Sequence, residues 1–331
     1  MCSSNDLHRD SIVIDLHADT ITLMRWGYDI FRRHRPPLPR AALAFHVDVP
    51  RMEEGGLTAQ LFAVGGTAMV GTTRIDTVQK AIKRMLDATQ RRPDKLRFVT
   101  RADEIEQAKK DGVPAALLTL EGVDALRGDM ANFERLAQLG IRTLGISHFA
   151  ANEAGFPAEG RGSSRTKGLT DFGRTLIEAC NEKGIVLDLA HLNRPGFMEV
   201  CERSSRPVLV SHTGLGGIRP LWRNIDDEQV KAVADTGGCI GIAFFGWFLG
   251  KPTIDALVDH IQHCADVGGE DCPALGSDFD GYIVPLKGLR DVAALPRITD
   301  ALLKRGFSED VIRKILGGNA LRVIRASETA P

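Results

Sequence analysis

The sequence has no excess of charge: 42 Lys and Arg stand against 43 Asp and Glu, a formal net charge of -1. Bulk attraction to nucleic acid or to an anionic membrane surface is therefore not expected. Nor is there an apolar run able to span a bilayer, since the longest, around Cys239 to Leu249, is short and broken by glycine. The six cysteines (Cys2, Cys180, Cys201, Cys239, Cys264, Cys272) form no Cys-x-x-Cys pair and no regular spacing. Reduced, partly buried thiols are expected rather than a disulfide framework. Met1-Cys2-Ser3-Ser4-Asn5-Asp6 has no basic region leading into an apolar one, and Ala326 to Pro331 forms no hydrophobic tail. The expectation is a cytoplasmic protein with neither a nucleic-acid nor a membrane partner. No internal repeat and no low-complexity linker divides the chain.

What is present suits one large core. Hydrophobic residues make up 43% of the 331 and charged residues 26%, an ordinary balance for a folded protein. Short β-branched runs alternate with longer helical ones. Strands are expected at Ser11 to Leu16, Thr58 to Val64, Val113 to Leu120, Ile141 to Ser147, Ile185 to Asp188, Val208 to Ser211, Cys239 to Ala243 and Ala274 to Ser277. Most are apolar on both faces, as parallel strands must be. Amphipathic stretches lie between them at Thr77 to Gln90, Phe133 to Leu139, Thr170 to Lys183 and Thr253 to Val267, and Gly140, Gly184 and Gly268 precede the next strand. Eight such units suit a closed (β/α)₈ barrel, which needs about 250 residues plus insertions, so residues 1–331 are expected to form a single α/β domain. Two segments break the rhythm: the basic, proline-rich Arg32 to Arg40, expected as a solvated loop, and the long loop Asn152 to Lys167. A long loop after a barrel strand is a candidate pocket wall.

His17 and Asp19 end the first strand with the spacing that lets two side chains chelate one cation. The same His-x-Asp pattern recurs at His8/Asp10 and His46/Asp48, which follow no apolar strand and are expected to be exposed. Glu121 ends the wholly apolar third strand, where a carboxylate is costly unless it is ion-paired or metal-bound. His191 and His212 stand just beyond the fifth and sixth strands, each alone readable as a hydrogen-bonded core histidine. Together the five fall at the C-terminal ends of four strands, which a barrel gathers into one mouth. Three imidazoles and two carboxylates suit zinc, and five ligands exceed the need of one open catalytic ion. Two Zn²⁺ sharing one carboxylate explain the surplus. Two such ions, two carboxylates and a bridging hydroxide leave a net positive site, suited to a developing oxyanion. Asp278, in Ser277-Asp278-Phe279-Asp280-Gly281 after the eighth strand, can move protons beside such a site; on its own, the segment reads equally as a turn. His260 and His263 are expected on an exposed helix face.

These motifs, in this order, resemble the renal (membrane) dipeptidase family, peptidase family M19, within the metal-dependent amidohydrolase superfamily. The likeness runs from Ile14-Asp15-Leu16-His17-Ala18-Asp19 through Ser147-His148 to Gly318-Asn319-Ala320-Leu321-Arg322-Val323. It implies a zinc-dependent dipeptidase acting on L,L- and L,D-dipeptides. His17 and Asp19 would bind one zinc, His191 and His212 the other, and Glu121 would bridge them. His148 would polarise the scissile carbonyl, Asp278 would be the general acid/base, and Arg223 would grip the substrate's α-carboxylate. A homodimer is implied by analogy alone. The chain departs from the family at Gln60 to Gly65 and at Ala243-Phe244-Phe245-Gly246-Trp247, both expected near the pocket, so side-chain preference is open. The signals behind the secretion and lipid anchoring of the vertebrate enzymes do not appear in the sequence.

A rival reading keeps the two-zinc barrel and changes the substrate to a cyclic amide, N-acyl amino acid, lactone or phosphoester. The relatives that bridge their metals with a carbamylated Lys after the fourth strand are disfavoured, because Ser147-His148 stands there. A non-catalytic barrel would be expected to have lost a ligand or Asp278. A nucleotide site at Gly214-Leu215-Gly216-Gly217 lacks the Gly-Lys-Ser/Thr that a phosphate loop requires.

Overall fold

In a computed structural model, described over residues 3–35, 43–65 and 73–328, the apolar runs become parallel strands. They are β1 (Ile14–Ala18), β2 (Ala59–Val64), β3 (Arg97–Phe98), β4 (Ala115–Glu121), β5 (Ile141–Gly145), β6 (Val186–Asp188), β7 (Leu209–Thr213), β8 (Cys239–Ile242) and β9 (Pro273–Leu275). The sheet closes because β2 pairs with both β1 and β4, while β9 pairs with β1. Eight strands thus form the (β/α)₈ barrel, with helices outside it. The two-residue β3 lies outside the ring. It pairs with Ala115 and Ala116 at the start of β4, whereas β5 pairs with β4 only from Leu118 onward.

Inside the barrel, the first residues of several strands, among them Ile14, Ala59, Ala115, Leu209 and Cys239, pack with Ala320, Leu321, Val323 and Ile324. These last four lie on the final helix, Asn319–Ser327. The N-terminal end of the barrel is therefore plugged by apolar side chains, and the opposite end is left for polar groups.

The expected helices form at Ile75–Arg91, Met130–Gln138, Asp171–Lys183 and Ile254–Gly268. Two begin one residue late because Thr170 and Thr253 are their N-caps, accepting hydrogen bonds from Gly173 N and Ala256 N. Gly184 ends its helix in the left-handed conformation at φ 67°, which a side chain would strain. Gly268 remains helical, and Gly269 takes the cap instead.

Several histidines expected at the surface are buried. His8 is bonded through Nδ1 to Thr299 Oγ1 (2.7 Å) and through Nε2 to Gly55 O (2.9 Å). His46 accepts from Asp280 N at 2.9 Å, and Asp48 both caps the helix Val49–Glu54 and pairs with Arg51 at 2.7 Å. His260 accepts from Leu215 N at 3.0 Å, and burial lowers its pKa to about 4. In the basic segment, Arg33 forms an exposed ion pair with Glu54 and His34 stacks on Tyr28. The remainder of that expected loop, from residue 36 on, lies outside the described residues.

Candidate active site

All the residues singled out by their place at strand ends meet at the open end of the barrel. Glu121 is at the centre. Its Oε1 lies 3.6 Å from His17 Nε2, 3.7 Å from His148 Nε2, 3.2 Å from His191 Nε2 and 3.8 Å from His212 Nε2. Two triads share this carboxylate: His17, Asp19 and Glu121 on one side, and Glu121, His191 and His212 on the other. In each, the ligand atoms lie within 4.8 Å of one another. His17, His212 and Asp278 form a third cluster of the same tightness.

The backbone aims these groups by local irregularities. Between Asp15 and Ala18, β1 advances three residues while β2 advances two, which puts a bulge at Leu16-His17. A second bulge occurs where β7 passes from Val210 to Thr213 against β8, at Ser211-His212. A bulge re-aims a side chain that strict alternation would place elsewhere, and here both coincide with a histidine of the cluster. His191 and Asp278 take left-handed backbone conformations, φ 65° and 62°, costly for residues other than glycine and characteristic of functional sites. The long loop Asn152 to Lys167 supports His191 from behind, with Ala158 N donating to His191 O at 2.7 Å. Its expected role as a wall thus becomes a brace, and the wall on this side is Phe149.

Two buried aspartates not singled out from the sequence hold the strand ends in register. Asp15 accepts from Ser277 N (2.7 Å) and Ser277 Oγ (2.6 Å), tying β1 to the segment that carries Asp278. Asp188 Oδ1 accepts from Ala190 N (3.0 Å) and Ser211 N (2.8 Å), joining the approaches to His191 and His212. Ser211 Oγ also bonds His212 Nδ1 at 2.8 Å. The sequence does carry a signal for both: each is a lone carboxylate inside an apolar strand.

The donor set fits divalent cations. His17 is buried, yet neither ring nitrogen has a hydrogen-bond partner. His191 Nε2 and His212 Nε2 approach to 3.0 Å. Desolvation lowers both imidazoles well below their ordinary range, so both are neutral at neutral pH, and each can turn a nitrogen lone pair toward a cation placed between them. A cation would relieve that contact, and one held by His17 would satisfy one of its two orphaned nitrogens. Burial pushes the carboxyls of Glu121 and Asp278 upward, Asp278 strongly. For His17, desolvation pulls downward, but Glu121, Asp19 and Asp278 outweigh it and raise the imidazole to about 10. These directions describe side chains with no metal charge beside them, and bound cations would reverse the balance toward ionised carboxylates.

The site opens into a cavity of about 480 Å³ that also takes in Arg223 and an aromatic side. Arg223 is buried. One terminal nitrogen donates to His212 O at 2.9 Å, while its Nε–H has no partner. Desolvation lowers the guanidinium to about 10, leaving it charged at neutral pH. A buried cation that lines a ligand cavity, with one of its donors unpartnered, calls for an anionic group. Of the two segments that depart from the family pattern, the one at Ala243 to Trp247 contributes Phe245 and Trp247 to this cavity.

Comparison with known proteins agrees with this architecture. The family model described as Membrane dipeptidase (Peptidase family M19) matches residues 1–331. The curated protein Dipeptidase tcpJ of Claviceps purpurea (strain 20.1) is 29% identical over 327 residues, spanning 95% of this chain and 76% of that protein. Among solved structures, the dipeptidase AC, a metallo peptidase of family M19, superposes with a TM-score of 0.86 at 27% identity, covering 97% of this chain and 99% of that one. A metallo peptidase from Rhodobacter sphaeroides, liganded with a phosphinate mimic of the dipeptide L-Ala-D-Ala, gives 0.82 at 27% identity, covering 96% and 100%. Matched along its whole length and built around this cluster of imidazoles and carboxylates, the chain belongs to the membrane dipeptidase family, peptidase family M19, and is a metallo-dipeptidase.

Proposed function

We propose that this enzyme is a binuclear zinc dipeptidase that hydrolyses the amide bond of L,L- and L,D-dipeptides. The observation that carries this reading is the position of Glu121, one carboxylate shared by two tight triads of donors. In this reading His17 and Asp19 would hold one zinc, His191 and His212 would hold the other, and Glu121 would serve both. The metal pair, when bound, would supply Lewis acidity and lower the pKa of the attacking water.

The remaining steps belong to the side chains. Asp278, close to His17 and His212, takes the proton of the attacking water and returns it to the leaving amine. His148, 3.7 Å from Glu121 Oε1, donates a hydrogen bond to the scissile carbonyl oxygen as charge develops there. Arg223 binds the free α-carboxylate through its guanidinium and so fixes the amide bond beside the cluster of imidazoles and carboxylates that line the same cavity. This grip also measures length, because a third residue would carry the carboxylate out of reach.

A panel of L,L- and L,D-dipeptides, tripeptides, N-acyl amino acids and lactones, offered to zinc-loaded protein, tests the assignment. Dipeptides are expected to turn over at least a hundredfold faster (kcat/KM) than the matched tripeptides or the other classes. Preference for an N-acyl amino acid or a lactone would replace the substrate and keep the metal site.

A further inference from the structure

The cavity has two unlike halves, and Arg223 stands at the boundary. On one side its guanidinium bonds His212 O, within the imidazole and carboxylate floor. On the other its Cζ lies 5.2 Å from the ring centroid of Phe248. Beyond that ring comes a wall of Trp222, Phe245 and Trp247. The rings support one another: Phe245 and Phe248 meet at 5.1 Å, Trp247 and Phe248 at 5.7 Å, and Trp222 and Trp247 edge-on at 5.8 Å. Such offset and edge-on contacts hold aromatic rings in place before any ligand arrives.

The loop that carries Arg223 also holds this wall. Arg219 Nε donates to Trp247 O at 2.8 Å, and Asn224 Nδ2 donates to Phe248 O at 2.9 Å. The group that would bind the carboxylate and the apolar surface beside it are therefore one rigid unit. Trp222 and Trp247 nevertheless remain 39% and 45% exposed. Large rings left in water at a cavity mouth mark a surface that a ligand covers.

We infer that Trp222, Phe245, Trp247 and Phe248 form a subsite for a large apolar side chain on the C-terminal residue of the dipeptide. The inference rests on the dipeptidase reading above. With the carboxylate on Arg223 and the scissile nitrogen over the floor, two of the three heavy substituents on the C-terminal Cα are fixed. The third is the side chain. For one configuration at that carbon it points at the wall, and for the other it points away. Substrates ending in Phe or Leu gain apolar burial there, and those ending in Gly gain none.

The test compares kcat/KM for Ala-Gly, Ala-Ala, Ala-Leu and Ala-Phe, with the last three in both C-terminal configurations. A rise of at least tenfold from Gly to Phe is expected in one of the two series. Trp247→Ala is expected to reduce that Phe-to-Gly ratio at least fivefold, and Trp247→Phe to retain most of it. Trp222→Ala, at the exposed rim, serves as a second variant should Trp247→Ala fail to fold. Calorimetry with phosphinate mimics of Ala-Phe and Ala-Ala gives a readout independent of turnover, and the Phe mimic is expected to bind at least tenfold more tightly. Flat or falling series in both configurations, with equal affinity for the two mimics, would overturn the subsite and leave the dipeptidase reading intact. Failure to hydrolyse any dipeptide would instead remove the reading beneath it.

Discussion

Replacing Asp278 by Asn is expected to lower kcat about a thousandfold, in the range that general acid/base catalysis contributes, while two metal ions per chain are retained. The substitution changes little except the proton chemistry. Asn is nearly the same size as Asp, and it is among the few residues that tolerate the left-handed backbone adopted here at φ 62°. Asp15 holds Ser277 from the opposite side of the loop, through contacts that do not involve Asp278. On the proposed mechanism, what would be lost is a group that accepts a proton from water and delivers it to the departing amine. Metal analysis alongside steady-state kinetics separates two roles. Asp278 shares a tight cluster with His17 and His212, so a role as metal ligand would appear as a loss of metal with the activity. A variant with full metal and near-normal kcat would refute the acid/base role.

Amidating the C-terminus of a good dipeptide substrate is expected to cost at least a hundredfold in kcat/KM. A neutral carboxamide leaves the buried guanidinium of Arg223 facing a ligand that cannot neutralise it. Leaving a buried charge unpaired costs about 3–5 kcal/mol, which corresponds to factors of roughly 10² to 10⁴. The complementary variant makes the assignment specific. Arg223→Met keeps much of the apolar bulk against Phe248 and removes the charge, so its discrimination between acid and amide is expected to fall below tenfold. Equal rates on acid and amide with the unaltered enzyme would rule out the carboxylate grip. Unchanged discrimination in Arg223→Met would move it to another residue.

The barrel was legible because its parallel strands are apolar on both faces, and because glycine stands before several of them. The strand ends shifted by one to three residues, most where Ser11 takes the role of helix cap and β1 starts at Ile14. The short β3 and the helix Ala102–Asp111 were not anticipated. The helix buries only Ala102, Ile105 and Ala108 among seven polar or charged residues, too narrow an apolar stripe to stand out. The residues that meet in the cluster were legible by position, since a polar group at the end of an apolar strand is conspicuous.

The bulges at His17 and His212 were not legible, because a bulge is a mismatch between two strands distant in sequence. The same reason accounts for the misread histidines. His8 depends on Thr299, His46 on Asp280 and His260 on Leu215, partners that local sequence does not disclose. Asp15 and Asp188 present the opposite case: each is conspicuous in its apolar strand, but only the fold shows that it acts on the backbone rather than on a metal.

The most direct test of the binuclear reading is a zinc titration of chelator-stripped protein, following hydrolysis of a dipeptide together with bound metal. Activity is expected to be absent without metal and to reach its plateau at about two zinc ions per chain, as five ligands, one of them a shared carboxylate, would require. In Glu121→Gln, which removes the bridging charge, the second equivalent is expected to bind more weakly and activity to fall sharply. Full activity in stripped protein, or a plateau at one zinc ion per chain, would contradict the account.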